Sequence, residues 1–175
     1  MKTKSGIAIA LMMAIGCDGA PTAQQKEAAR IDRQLGELYR PLLALVLESR
    51  ASIEKFMETK LKREYIFPTD HDLEGEELKL WLEQAEGDTM PRNERMCALV
   101  RAKRDLVDGP DLPAAFQQLL EHQDRWRTVH EKWKKDHVPY KSWKAPTSFP
   151  KQLQGELEET IEKLEKRRAA LPKAG

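Results

Sequence analysis

Five side chains in the second half of the sequence, His122, Trp126, His130, Trp133 and His137, recur at steps of four, four, three and four. At 100° per residue, these steps hold all five within an arc of roughly 80° on one helix face. A stripe of imidazoles and indoles inside a helical bundle can line a ligand cavity or hold a metal between helices. Spacing restricts that chemistry: His122 and His130 are about 12 Å apart along the axis, and His130 and His137 about 10 Å, so one helix cannot chelate with them. The nearest metal motif, His130-Glu131-Lys132-Trp133-Lys134, has lysine where a zinc-binding H-E-x-x-H needs its second histidine. The stripe also continues a face begun by Ala115 and Leu119, so its first reading is hydrogen-bonded interior histidines among packed tryptophans.

Two other stretches carry chemistry-bearing residues. Asp70-His71-Asp72-Leu73-Glu74-Gly75 opens like a calcium loop, but the twelfth position is Trp81, where a bidentate glutamate is required. That stretch reads as a solvated loop supplying helix caps, with His71 titrating near pH ~6 beside its carboxylates. Residues 138–150 place Tyr140, Trp143 and Phe149 among Lys141, Lys144 and three prolines. Aromatics interleaved with cations suit a partner peptide or stacked bases. Nucleic acid is not expected, because only one such stretch exists and the chain as a whole is balanced, with 30 basic against 29 acidic side chains. A protein partner is therefore expected at Tyr140, Lys141, Trp143, Lys144 and Phe149, if anywhere; a rigid cap over the bundle end is the plainer reading.

The signatures of nucleophile elbows, phosphate-binding loops, dinucleotide folds and dithiol sites are absent from the sequence. No catalytic residue, metal ligand or cofactor is therefore assigned.

The elements that position these residues are helical. With 34% charged residues and a mean hydropathy of −0.68, the chain is very polar, yet its apolar residues recur in steps of three and four. Ile31, Leu35, Leu38, Leu42, Leu45, Ile53 and Phe56 mark a first helix running to about Tyr65, with a kink or restart at Pro41. Leu78, Trp81, Leu82 and Ala85 mark a short helix near 74–86, which Gly87 should break. Asp88 or Thr89 then caps a helix carrying Met96, Leu99, Val100, Leu106 and Val107. Asp111 caps the third long helix, up to about Asp136. The last helix starts near Ser148 and carries Leu153, Leu157, Ile161, Leu164 and Leu171 inward. No strand pattern occurs. Short turns rich in Gly and Pro favour an all-α, antiparallel up-and-down four-helix bundle over one continuous core. Its far end should be charge-polarised, since 70–88 has eight acidic residues and 125–144 has seven basic ones, and the two should neutralise each other.

At the N-terminus, Lys2 and Lys4 precede an apolar or small run of eleven residues, Gly6 to Gly16, too short for a bilayer core of about 30 Å. The run fits the core of an export signal. Its last residues, Ala14-Ile15-Gly16-Cys17, resemble the lipobox of bacterial lipoproteins, with Ala14 in place of the usual leading leucine. The resemblance implies removal of residues 1–16, acylation of Cys17 with fatty acids such as palmitate, a tether over 17–25, a bundle over 26–171 and a tail over 172–175. The processed chain would keep 28 basic and 29 acidic side chains, so the acyl chains alone would anchor it. The implied location is the periplasmic face of an envelope membrane. Asp18 resembles the signal for retention at the inner one. Cys97, in the apolar run Met96-Cys97-Ala98-Leu99-Val100, then has no partner and should be a buried, inert thiol. The run from Met90-Pro91-Arg92-Asn93 through Asp105-Leu106 to His122 and Trp133 loosely resembles all-helical bacterial proteins; the resemblance covers under a third of the chain and implies no activity.

These readings converge on a non-enzymatic, lipid-anchored helical module for protein interaction or structure. The alternative is a bundle that binds a small ligand or metal through the His/Trp stripe.

Overall fold

The computed structural model describes residues 20–137 and 148–171. Among these the chain is all-helical and forms a bundle of four rods. The first rod is built from α1 (Ala23–Arg33), a π-helical turn (Gln34–Tyr39), α2 (Arg40–Phe56) and a second π-helical turn (Met57–Leu61). The second joins α3 (Gly75–Gln84) to α4 (Met90–Ala102) through a third π-helical turn, Ala85–Thr89. The third rod is α5 (Ala114–Asp136) and the fourth α6 (Leu153–Ala169).

Rod ends follow local chemistry. Thr22 accepts from the Gln25 backbone while the Gln25 side chain accepts from the Thr22 backbone, a reciprocal cap that starts α1 at Ala23, inside the expected tether. The first rod stops at Leu61, short of Tyr65, because Lys62 turns into the left-handed region (φ 53°). His137 closes α5 in the same way, with φ 52°. Asp111 does not cap α5; Pro113 occupies that position and no side chain bonds the free amides there. The last helix begins at Leu153 rather than near Ser148.

Neither expected break interrupts its rod. Arg40 and Met90 each keep helical backbone angles and donate five residues back, to Leu35 and Ala85. Pro41 and Pro91 each follow two residues after a π-helical turn. The carbonyl four residues ahead of each ring, Glu37 or Gly87, thus lies in a widened turn, which relieves the clash that would otherwise stop the helix. Gly87 therefore lies within a continuous helix, and neither Asp88 nor Thr89 is a cap.

Cross-rod pairs set the packing. Gln34 donates to the Leu106 carbonyl at 2.7 Å, Lys103 to Glu37 at 2.7 Å, and Ser52 to Asp88 at 2.5 Å, so rising numbers on the first rod meet falling ones on the second. The first rod meets the fourth with the same overall trend, Glu27 and Asp32 pairing with Arg167 and Arg168, then Arg40 with Glu165 and Arg50 with Gln154.

The interior is two clusters rather than the single continuous core expected. The larger joins all four rods, with Ile31, Leu38, Leu42 and Val46 against Met96, Val100, Phe116, Leu119, Leu153 and Leu157. The smaller joins Phe56, Leu73, Trp81 and Ala85, with Ile66, Phe67, Trp126, Val129 and Trp133 packed on it. The physical reason is length: α6 is 17 residues, roughly 25 Å at 1.5 Å per residue, and its first turn reaches the first rod only at Arg50. Beyond that level, segment 62–74 supplies the cover. Leu45 and Ile161, at the edge of the larger cluster, and Ile53, at the edge of the smaller, are only half-buried.

Candidate functional site

The His/Trp stripe lies on α5, where its faces divide between the two clusters. Of its five members His130 is buried, His122, Trp126 and Trp133 are half-buried, and His137 is exposed. Its rings meet other rings. Trp126 stacks on Trp81 of α3 (centroids 5.5 Å, planes 9° apart), and Trp81 also meets Phe67 edge-on at 5.3 Å and Phe56 at 6.2 Å. His122 lies 5.7 Å from both Trp126 and Phe149. Trp133 lies between His130 at 5.8 Å and His137 at 6.3 Å. Offset and edge contacts of this kind add about 0.5–1.5 kcal/mol each beyond area burial.

The buried histidine has a charged partner that the sequence reading did not anticipate. His130 Nε2 lies 2.8 Å from Oε1 of Glu86, in the widened turn of the second rod, and Lys134 Nζ lies 2.8 Å from the same oxygen. The Lys134 bond, and after it the His130 bond, hold the Glu86 carboxyl below its usual range despite the opposing cost of burial. The Lys134 ammonium and the His130 ring, both from α5, thus share one carboxylate of the second rod. Across the expected charge-polarised end, this ionic contact ties 70–88 to 125–144 beside the Trp81–Trp126 stack.

A polar junction lies between the two apolar clusters. Asp88 accepts from Ser52 Oγ at 2.5 Å, from Gln84 Nε2 at 3.0 Å, and from both terminal nitrogens of Arg92. Gln84 also donates to Ser52 at 3.0 Å. Further along the second rod Asn93 is 1% exposed, and Gln123 of α5 is 3% exposed; Asn93 Oδ1 and Gln123 Oε1 have no hydrogen-bond partner among the described residues. The Asp88/Arg92 spacing of four was visible in the sequence, but Ser52 and Gln84 reach that carboxylate from separate elements, and no sequence spacing links them.

The calcium-like loop serves another purpose. Asp70 Oδ1 lies 2.9 Å from His71 Nδ1, and His71 Nε2 lies 3.2 Å from Glu77 Oε2. Among the described residues, no group of three or more His, Cys, Asp or Glu side chains is arranged to hold a metal ion. Cys97 is fully buried; burial pushes its thiol up to about 12, and its Sγ lies 3.8 Å from the Leu119 carbonyl. Between the first two rods runs an open cleft of about 280 Å³, floored by Phe56 and Leu80 and edged by Ser52, Lys55, Lys60 and Glu83. None of the stripe residues lines it.

Cys17, the rest of the lipobox, and Tyr140, Lys141, Trp143 and Lys144 fall outside the described residues. Of the expected partner surface, Phe149 is described, half-buried against His122. No helix among the described residues is long and apolar enough to cross a membrane. Comparisons of the chain with protein-family models, with curated proteins and with solved structures return no match.

Proposed function

We propose that this chain is a lipid-anchored protein of the bacterial cell envelope whose helical bundle acts as a structural or protein-docking module. The observation that carries the non-catalytic part of the reading is the use made of the best chemical groups. The stripe residues His122, Trp126, His130 and Trp133 are engaged with Phe149, Trp81, Glu86 and one another, contacts that hold rods together. The same contacts weigh against the stripe as a ligand or metal site. The anchor rests on Ala14-Ile15-Gly16-Cys17 and the short apolar run ahead of it. Attachment through lipid is also compatible with the tether-side end of the bundle, where several cations are paired internally: Arg30 with Asp108, Arg33 with Glu37, Lys103 with Glu37 and Arg168 with Asp32. A partner protein would dock at residues 138–150.

Fractionation of cells carrying the full chain and its Cys17→Ser variant tests the anchor. The wild type should stay with membranes through a high-salt wash, and the variant should leave them. A variant that stays bound after the wash would refute lipid attachment at Cys17. In-cell crosslinking with a charge-reversed Lys141/Lys144 variant tests the docking surface; a crosslinked partner held equally by wild type and variant would remove it from the proposal.

A further inference from the structure

Segment 62–74 packs over the smaller cluster beyond the reach of α6, and it is held by side chains at both of its ends. It buries Leu73 and packs Ile66 and Phe67 over Phe56 and Trp81. At its start, Arg63 folds back over the segment, donating to the Tyr65 carbonyl at 2.8 Å and the Ile66 carbonyl at 2.6 Å, and reaches Glu77 Oε1 at 2.7 Å. Near its end, His71 Nε2 lies 3.2 Å from the other oxygen of the same carboxylate, Glu77 Oε2. One carboxylate in the first turns of α3 thus clasps both ends of the segment.

The chemistry of the far clasp depends on a proton. His71 has a carboxylate oxygen at each ring nitrogen, Asp70 at Nδ1 and Glu77 at Nε2. An ionised carboxylate only accepts, and neutral imidazole has one N–H, so only the imidazolium donates to both. We propose that segment 62–74 is a pH-sensitive strap: with His71 charged, Glu77 holds both ends against α3, and loss of the His71 proton, which leaves one N–H between two carboxylates, loosens the far end above the Phe56/Trp81 cluster.

The two carboxylates at the ring act in one direction on that proton. Glu77 from α3 and Asp70 from the strap favour the cation, and Arg63 sits on the other oxygen of Glu77, away from the ring. Glu76, the neighbouring acid of α3, is paired with Lys79. The Glu77 bond first, and the Asp70 bond second, raise the His71 pKa above its ordinary 6.5. A raised pKa gives a grip that is complete below 6.5 and fades as pH climbs through the raised value, so the strap loosens on the alkaline side.

Hydrogen exchange of the full chain in detergent, expressed as protection factors to remove the intrinsic base catalysis, reads the strap directly. Between pH 6 and pH 9, amides of residues 63–74 should lose protection about two- to fivefold, the range of an exposed charged pair, while α6 amides keep theirs. In His71→Gln and Glu77→Gln the strap should show no such fall. The His71 ring, followed by NMR, should titrate above 6.5 in the wild type and move toward 6.5 in Glu77→Gln. A wild-type strap indifferent to pH, an equal fall in His71→Gln, or a His71 ring titrating at or below 6.5 would each overturn the proposal.

Discussion

Removing the Asp88 carboxylate should strike the joint between the two halves of the bundle. In Asp88→Ala, Ser52 and Gln84 lose an acceptor and Arg92 loses a two-nitrogen partner, keeping Glu48 at 3.9 Å. Breaking a fully buried pair costs about 3–5 kcal/mol, because the surviving charge is left without compensation. Here the Arg92 side chain is 12% exposed but Asp88 is 31% exposed, so water replaces part of what is lost. The expected loss is therefore about 2–3 kcal/mol, or roughly 4–12 °C in Tm for a domain of this size. Urea unfolding followed by circular dichroism at 222 nm measures it, with Arg92→Ala and the double variant completing a cycle. The double variant should lose much less than the sum of the two single changes. Burial pushes the Asp88 carboxyl up, but the Ser52, Arg92 and Gln84 bonds outweigh it and hold the pKa below 3.8. A lowered pKa means that the advantage over Asp88→Ala is complete above 3.8 and vanishes as pH falls through the folded value. A loss under about 0.5 kcal/mol would refute the reasoning, since the contacts would then be worth no more than a surface ion pair.

Two further outcomes follow from the clusters. Trp81→Ala should cost about 3–5 kcal/mol, and exchange protection should fall first in 75–84 and 126–133, while the amides of α6 stay protected; a loss spread evenly over all four rods would argue for one cooperative core. Cys97, with a thiol pushed up to about 12 by burial, should resist thiol reagents at pH 8 in the native Cys17→Ser chain and react fully in urea. Rapid labelling of the native chain would place that thiol at the surface.

The all-helical fold was legible because periodicity reports which face of a helix meets other elements. Ile31, Leu35, Leu38, Leu42, Phe56, Trp81, Met96, Val100, Leu153, Leu157 and Leu164 are buried as their spacing requires. The buried thiol of Cys97 was legible for the same reason. Proline and glycine misled at Pro41 and Gly87. Local propensity predicts a break at each, but packing of the long rods favours continuity and a π-helical turn absorbs the mismatch.

What only the tertiary structure decided is who meets whom. The stripe on α5 could be read as a face, yet its partners come from elsewhere in the chain, Trp81 and Glu86 from the second rod and Phe149 from the approach to α6. Glu77 could be counted among the acids of 70–88, but not known to take Arg63 on one oxygen and His71 on the other. The split of the interior arises from where a 17-residue α6 ends against a longer first rod. Helical periodicity is a property of neighbours within a turn or two, so it fixes faces; pairing depends on the lengths and offsets of separate rods, which are settled only when burial of all their faces is satisfied together.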